Sequence, residues 1–196
     1  MADTVPSRAQ VVVVGGGAVG CSVAYHLAKQ GWTDTVLLER RQLTCGTTWH
    51  AAGLVGQLRA TQNMTRIAQY TAELFAGLEN ETGQATGLKQ NGSISVATDE
   101  GRLEELKRGA SMARVFGVDV EEVTPEWMQE HYSIMNIDDV IGGVYLPKDG
   151  QCNPIDVTQA MAKGARMHGA TIMEDTCVRS VATENGRVKS VTTDKG

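Results

Sequence analysis

The sequence predicts an α/β fold that opens with a parallel βαβ unit, and three observations predict it. Val11 to Val14 form a continuous β-branched run, the composition of a parallel strand buried on both faces. Gly15, Gly17 and Gly20 then fall at GxGxxG spacing just ahead of a helical pattern. A second strand, Thr35 to Glu39, follows that helix and ends in an acid about 20 residues beyond the last glycine.

Each glycine has a physical task. Gly15 permits the tight turn off the strand, Gly17 lets the backbone approach a diphosphate with no Cβ in the way, and Gly20 lets the helix pack closely on the sheet. The helix start, Gly17, Ala18, Val19 and Gly20, would face the phosphates with free N–H groups and a partial positive charge. Glu39 stands where a carboxylate accepts hydrogen bonds from an adenosine ribose. Together these features predict a Rossmann-type dinucleotide site; a βαβ unit that has lost its ligand is the other reading. The acid favours a free 2′-hydroxyl over a 2′-phosphate, which leaves FAD and NAD.

The stretch Leu43 to Leu58, LTCGTTWHAAGLVGQL, separates those two. A plain NAD domain would follow its second strand with a short connection and another crossover helix, not with a small-residue loop centred on a histidine. The run LLERRQLTCGTTWHAAGL resembles the flavin-attachment region of the sarcosine dehydrogenase and dimethylglycine dehydrogenase family. The resemblance implies FAD bound covalently through His50, with Gly46, Thr47 and Thr48 in the loop that closes over the pyrophosphate and ribityl chain. It places Glu39 and Arg40 at the ribose end and adds Leu54 to the cofactor-binding set. A neutral imidazole is a competent nucleophile near pH 7 when its approach is fixed, so attachment is chemically sound. The plainer reading of His50 is a loop histidine that only hydrogen-bonds the cofactor. Trp49 is assigned no role.

Composition sets the bounds. With 41% hydrophobic and 21% charged residues the 196-residue chain is ordinary globular material, and a net charge of −5 argues against a nucleic-acid partner. No apolar run approaches a membrane span. The N-terminal MADTVPSRAQ lacks the pattern of a signal or transit peptide, so the expected address is cytoplasmic, or the mitochondrial matrix if a eukaryotic presequence is unseen. Cys21, Cys45, Cys152 and Cys177 have no metal-ligand spacing and read as reduced thiols, so no metal is expected.

Further on, Gln62 to Glu81 spaces Ile67, Tyr70, Leu74 and Leu78 by three and four, which predicts an amphipathic helix with those residues on its core face. Gly92 to Ala97 predicts a strand, with Thr98 capping a helix to about Gly117 that turns Leu103, Leu106, Ala110 and Ala113 inward. Its charged face, Arg102, Glu104, Glu105, Lys107 and Arg108, is a solvated surface. Val118 to Val123 predicts an edge strand, Thr124 and Pro125 open a short helix to about Tyr132, and Val140 to Leu146 is another strand. Asn153 and Pro154 repeat the cap signal before a helix ended by Gly169, and strands follow at Thr171 to Glu174 and Val178 to Thr183. Asn185 and Gly186 turn a hairpin into Val188 to Thr193.

This order resembles the glycine oxidase and D-amino-acid oxidase superfamily. The implied fold is a Rossmann-type FAD-binding domain (glutathione-reductase/D-amino-acid-oxidase-like) interleaved with an α+β substrate-domain segment. The implied boundaries are 1–60 for the flavin unit and attachment loop, 61–150 for the insert, and 151–196 for an incomplete return. Val178 would meet the adenine through its backbone, or be a plain strand residue; Gly150, in LPKDGQCNP, reads as a structural turn.

The activity the resemblance implies is oxidation of an N-methyl amine such as sarcosine or dimethylglycine by hydride transfer to flavin. Family members are several times longer, so the catalytic residues are expected beyond residue 196, and tetrahydrofolate only in a longer chain. The chain ending at TDKG therefore reads as a fragment, or as a protein that needs a missing C-terminal half or a partner subunit; the electron acceptor is undefined. Two alternatives stand beside this one: a non-catalytic regulatory relative like the pyruvate dehydrogenase phosphatase regulatory subunit, and an NAD-binding Rossmann protein.

Overall fold

A computed structural model of the protein describes residues 4–196. They divide into two compact units. The first comprises residues 4–53, Phe75–Gly87 and Asn153–Gly196; the second comprises Leu54–Leu74 and Leu88–Cys152. Residues 75–87, placed by sequence in the insert, thus belong with the first unit, and residues 54–60 with the second.

The first unit is built on a parallel sheet of β1 (Val11–Val14), β2 (Thr35–Leu38) and β8 (Thr171–Met173), in the order β1-β2-β8. Val11 lies opposite Thr35, and Val36 opposite Thr171. Strand β2 is buried along its whole length, as expected for the middle strand of a parallel sheet. Its last residue is Leu38, so Glu39 stands just beyond the strand rather than at its end.

Helix α1 (Ala18–Lys29) packs along α5 (Pro154–Met167). The contact is made close by small residues: Ala24, Ala28, Ala160 and Gly164 are all buried. Gly164 faces the ring of fully buried Tyr25, where a Cβ would stand 2.7 Å from Cε2. Asn153 caps α5 by accepting from the Ile155 and Asp156 N–H groups, the cap its Asn-Pro sequence predicts. On one face of the sheet, Val36, Leu38 and Met173 form a cluster with Val12, Val178 and Val191. The last two lie on the hairpin of β9 (Val178–Glu184) and β10 (Arg187–Thr193).

The second unit has an antiparallel sheet of β4 (Ser93–Ala97), β6 (Gly142–Leu146) and β5 (Glu121–Val123), with β6 in the centre. Helix α3 (Glu100–Val115) covers it, packing Leu106, Ala110 and Ala113 against Ala97, Val144 and Leu146. The α3 cap is Asp99, which accepts from the Arg102 N–H, and not Thr98; Asp99 is the residue with extended backbone at the helix start. The edge strand starts at Glu121, three residues later than expected. Thr124 caps α4 (Pro125–His131) as its sequence predicts.

A short pair absent from the sequence reading joins β3 (Leu54–Val55) to β7 (Gly150–Gln151). Gly150 is therefore a strand residue, and the turn lies before it at 147–148. A Cβ on Gly150 would run into the Lys89 carbonyl. Asp149 ties this region together: Oδ1 accepts from the Gln57 N–H at 2.8 Å and Oδ2 from the Ser93 hydroxyl at 2.8 Å.

Helix α2 (Gln62–Thr82) has the predicted extent but a different buried face. Leu78 is buried as expected, but Ile67 and Tyr70, also expected in the core, are exposed, while Thr65, Ala72 and Thr82 are buried. The threonines tolerate burial because each hydroxyl has a backbone partner: Thr65 donates to the Arg59 carbonyl and Thr82 to the Leu78 carbonyl.

Within the first unit a polar cluster joins α1, α2 and α5. Glu81 Oε2 accepts from the Tyr25 hydroxyl at 2.7 Å and from Lys29 Nζ at 2.9 Å, and Oε1 lies 3.0 Å from His168 Nε2. Burial opposes the charge on Glu81, but the bonds from His168, Lys29 and Tyr25 outweigh it and bring the carboxyl down to about 2. A carboxylate with a depressed pKa adds stability that is present above the unfolded value and lost as pH falls towards the folded one. Urea denaturation is therefore expected to show stability falling between about pH 4.5 and pH 2, less steeply in Glu81→Gln. At pH 7, Glu81→Ala is expected to cost roughly 1–3 kcal/mol, because the Tyr25 hydroxyl hydrogen loses its acceptor while Lys29 still donates to its oxygen.

Candidate cofactor site

The carboxyl ends of β1, β2 and β8 converge, and the segments leaving them form the site. Gly15 leaves β1 at φ +107° with its N–H donated to the Leu38 carbonyl at 2.8 Å. A Cβ on Gly20 would overlap the Gly15 carbonyl, so this glycine seats the helix start on the strand end, as its spacing predicts. Gly16, which the spacing leaves open, is as constrained: a Cβ there would press into Leu43 and Glu39. Its N–H donates to Glu39 Oε2 at 2.7 Å. Its carbonyl accepts from the Thr44 N–H at 3.0 Å and from the Cys21 thiol. Burial pushes that thiol up to about 12, so it stays protonated and able to donate.

Glu39 is buried, and its Oε1 also accepts from the Arg41 N–H at 3.0 Å. A carboxylate has about four acceptor sites, and the Gly16 and Arg41 amides and the Cys45 thiol take three, which leaves one for a ribose hydroxyl. Arg40 is exposed. The segment after β8 closes the third side: Thr176 N–H donates to the Glu39 carbonyl, Asp175 N–H to the Arg41 carbonyl, and Glu174 Oε1 accepts from the Leu43 N–H at 2.7 Å.

At the start of α1 the Gly17, Val19 and Gly20 N–H groups have no acceptor among the described residues. The Ala18 N–H donates to Thr48 Oγ1 at 3.0 Å. Ala18 thus differs from its neighbours, and Thr48, having accepted one bond, keeps its own hydroxyl hydrogen to donate. The direction a Gly15 side chain would take is open space. Free amides at a helix start, a hydroxyl donor beside them and an unfilled volume above the turn fit a diphosphate.

The loop after Glu39 bends back over this turn. Thr44 is buried at φ +70°, a conformation costing a β-branched residue about 1–3 kcal/mol. Gly46 and Thr47 are exposed, and a 3-10 turn at Thr48–His50 ends the loop. The His50 ring is exposed and lies against Trp49, with ring centroids 3.8 Å apart at 34°. Leu54 falls in the second unit, 79% exposed. Val178 begins β9, half-buried and paired with Thr193. Sequence reasoning missed Gly16, Thr44 and Glu174; a third glycine in the turn was visible, but nothing in the residue types at 44 and 174 marks them. No group of His, Cys, Asp and Glu among the described residues could hold a metal ion, and no described helix is long and apolar enough to cross a membrane.

A glycine turn with free helix amides, an acid after the second strand and a loop folded across both define a dinucleotide-binding oxidoreductase domain of the Rossmann type. Residues 10–196 match the DAO family, described as FAD dependent oxidoreductase, and the chain belongs to that family. The family is thus one that depends on FAD rather than NAD.

The chain is 41% identical to the mouse pyruvate dehydrogenase phosphatase regulatory subunit, over 97% of this chain and 22% of that protein. It is 41% identical to human sarcosine dehydrogenase, over 90% of this chain and 19% of that protein. Among solved structures it matches L-proline dehydrogenase from P. horikoshii with a TM-score of 0.92 and 31% identity, covering 98% of this chain and 50% of that one. The chain spans about a fifth of the length of these curated relatives.

Because Gly16 is packed on both sides, Gly16→Ala is expected to lower stability by roughly 1–3 kcal/mol in thermal unfolding. Gly46→Ala, with nothing near its Cβ direction, is expected to change it by less than about 0.5 kcal/mol.

Proposed function

We propose that the chain is the flavin-binding part of an enzyme that oxidises N-methyl amines of the sarcosine and dimethylglycine type, and that it holds FAD covalently through His50. The observation that carries this reading is the bond from Ala18 N–H to Thr48 Oγ1, which ties the 3-10 turn bearing His50 to the start of α1. FAD, when bound, supplies a hydride acceptor. The chain's own residues do the rest. The Gly17, Val19 and Gly20 amides and the Thr48 hydroxyl hold the diphosphate. Glu39, with Arg40 beside it, receives the ribose, and the Val178 backbone borders the adenine. Gly46 and Thr47 form the crown of the loop, and His50 offers an imidazole nitrogen to the 8α-carbon.

No residue from 4 to 196 is assigned as catalytic base. The substrate groups, the electron acceptor and any tetrahydrofolate site are placed in a longer chain or a partner subunit. The mitochondrial names of the relatives favour the mitochondrial matrix over the cytoplasm as the place of this activity.

A second reading, a non-catalytic regulatory relative, is supported by the equal identity to the phosphatase regulatory subunit. His50, Thr48 and the open glycine turn favour the flavoprotein.

The deciding experiment is acid precipitation of protein produced with riboflavin, followed by an in-gel flavin fluorescence scan beside His50→Ala. Flavin that survives denaturation and vanishes in the variant is the expected result. Flavin released freely by the parent protein reduces His50 to a contact, and no flavin in either fraction favours the regulatory reading. Dye-coupled oxidation of sarcosine and dimethylglycine by the 196 residues is expected to be weak; brisk turnover would place catalytic groups inside them.

A further inference from the structure

Among the described residues, three that are not glycine have left-handed backbone: Thr44, Asp175 and Asn185. Asp and Asn tolerate it because their short polar side chains bond locally, and Asn185 sits in the hairpin turn that calls for it. Thr44 is β-branched and buried, and its conformation is held by its surroundings. Its N–H donates to the Gly16 carbonyl at 3.0 Å. The Leu43 N–H is fixed on Glu174 Oε1 at 2.7 Å, and the Leu43 side chain fills the space a Gly16 Cβ would take.

Four residues on, Thr48 Oγ1 accepts the Ala18 N–H at 3.0 Å. Residues 44–48 are thus an arch with both feet on the glycine turn, one on the Gly16 carbonyl and one on the Ala18 amide. The crown, Cys45, Gly46 and Thr47, is exposed and contains a glycine, so its shape depends on the feet. Glycine at position 44 would adopt this backbone without strain but would admit many others. Threonine adopts it at a cost and admits few.

We infer that Thr44 is a positioning residue for the cofactor site: pinned in the left-handed region by its bond to the Gly16 carbonyl and by the neighbouring Leu43–Glu174 bond, it sets the arch that presents Thr48 and His50 to the dinucleotide. The inference rests on the flavin reading above and gives it a determinant besides the glycine motif and the histidine itself. Thr44 touches no reacting atom; it acts through Thr48 and His50.

The test compares the parent chain with Thr44→Gly and Thr44→Val, measuring flavin retained per chain after gel filtration, FAD affinity by fluorescence titration, and the Tm of the flavin-free protein. Thr44→Gly is expected to keep or raise Tm while weakening FAD binding about tenfold, since the arch is no longer preorganised. Thr44→Val, which keeps the β-branch, is expected to hold affinity within about threefold of the parent. A purely structural turn would move Tm and affinity together, and that outcome overturns the inference, as does Thr44→Gly binding FAD like the parent. Either result leaves the flavin reading standing. A parent chain that neither retains nor binds flavin removes the flavin reading, and the inference falls with it.

Discussion

The structure of the first unit depends on one hydrogen bond, from the Gly16 amide to the Glu39 carboxylate, made inside the protein between residues 23 apart in sequence. It joins the turn after β1 to the residue after β2, and it requires a residue without a side chain on one end and a buried carboxylate on the other. A buried carboxylate is tolerated only when its oxygens are satisfied, and here Gly16 and Arg41 amides do so. The same residue's backbone reaches β8 and the segment after it, through Met173 and Thr176. Glu39 is thus the junction of three strand ends.

That junction explains why the histidine loop lies where it does. A loop of threonines, glycine and cysteine has little apolar surface with which to pack, so its position is set by hydrogen bonds at its two feet. Both bonds end on backbone groups of the glycine turn, which the sheet and α1 hold rigid. Binding sites on loops gain precision when the loop is tied to regular elements in this way. The second unit uses the same device in Asp149, a buried carboxylate that accepts from the 57 amide and the Ser93 hydroxyl and so holds the chain around β3 and β7.

The family relationship and the geometry support each other without being the same argument. Similarity over residues 10–196 places the chain among FAD dependent oxidoreductases, while the Gly17, Val19 and Gly20 amides, without acceptors among the described residues, are the groups of this chain suited to an anion. The relatives themselves divide between a dehydrogenase and a regulatory subunit at equal identity, so fold alone does not carry activity. What distinguishes the readings is chemistry at one loop.

Much of the architecture was legible in the sequence because its causes are local. The valine run, the glycine spacing, the Thr124-Pro125 and Asn153-Pro154 caps and the Asn185-Gly186 hairpin each act through residues within a few positions, and each forms where expected. The errors are of another kind. Ile67 and Tyr70 satisfy a helical apolar period as well as Leu78 does, yet α2 buries Thr65 and Ala72 beside Leu78 in their place, since a helix's buried side is chosen by what packs on it. The β3–β7 pair joins residues almost a hundred apart, and two-residue strands have no period to read. The cofactor motif and its acid were determined by the sequence alone. That Gly16 must be glycine, that Thr44 is strained and that Glu174 holds the loop were decided by tertiary structure, because each depends on a partner that only folding brings within reach.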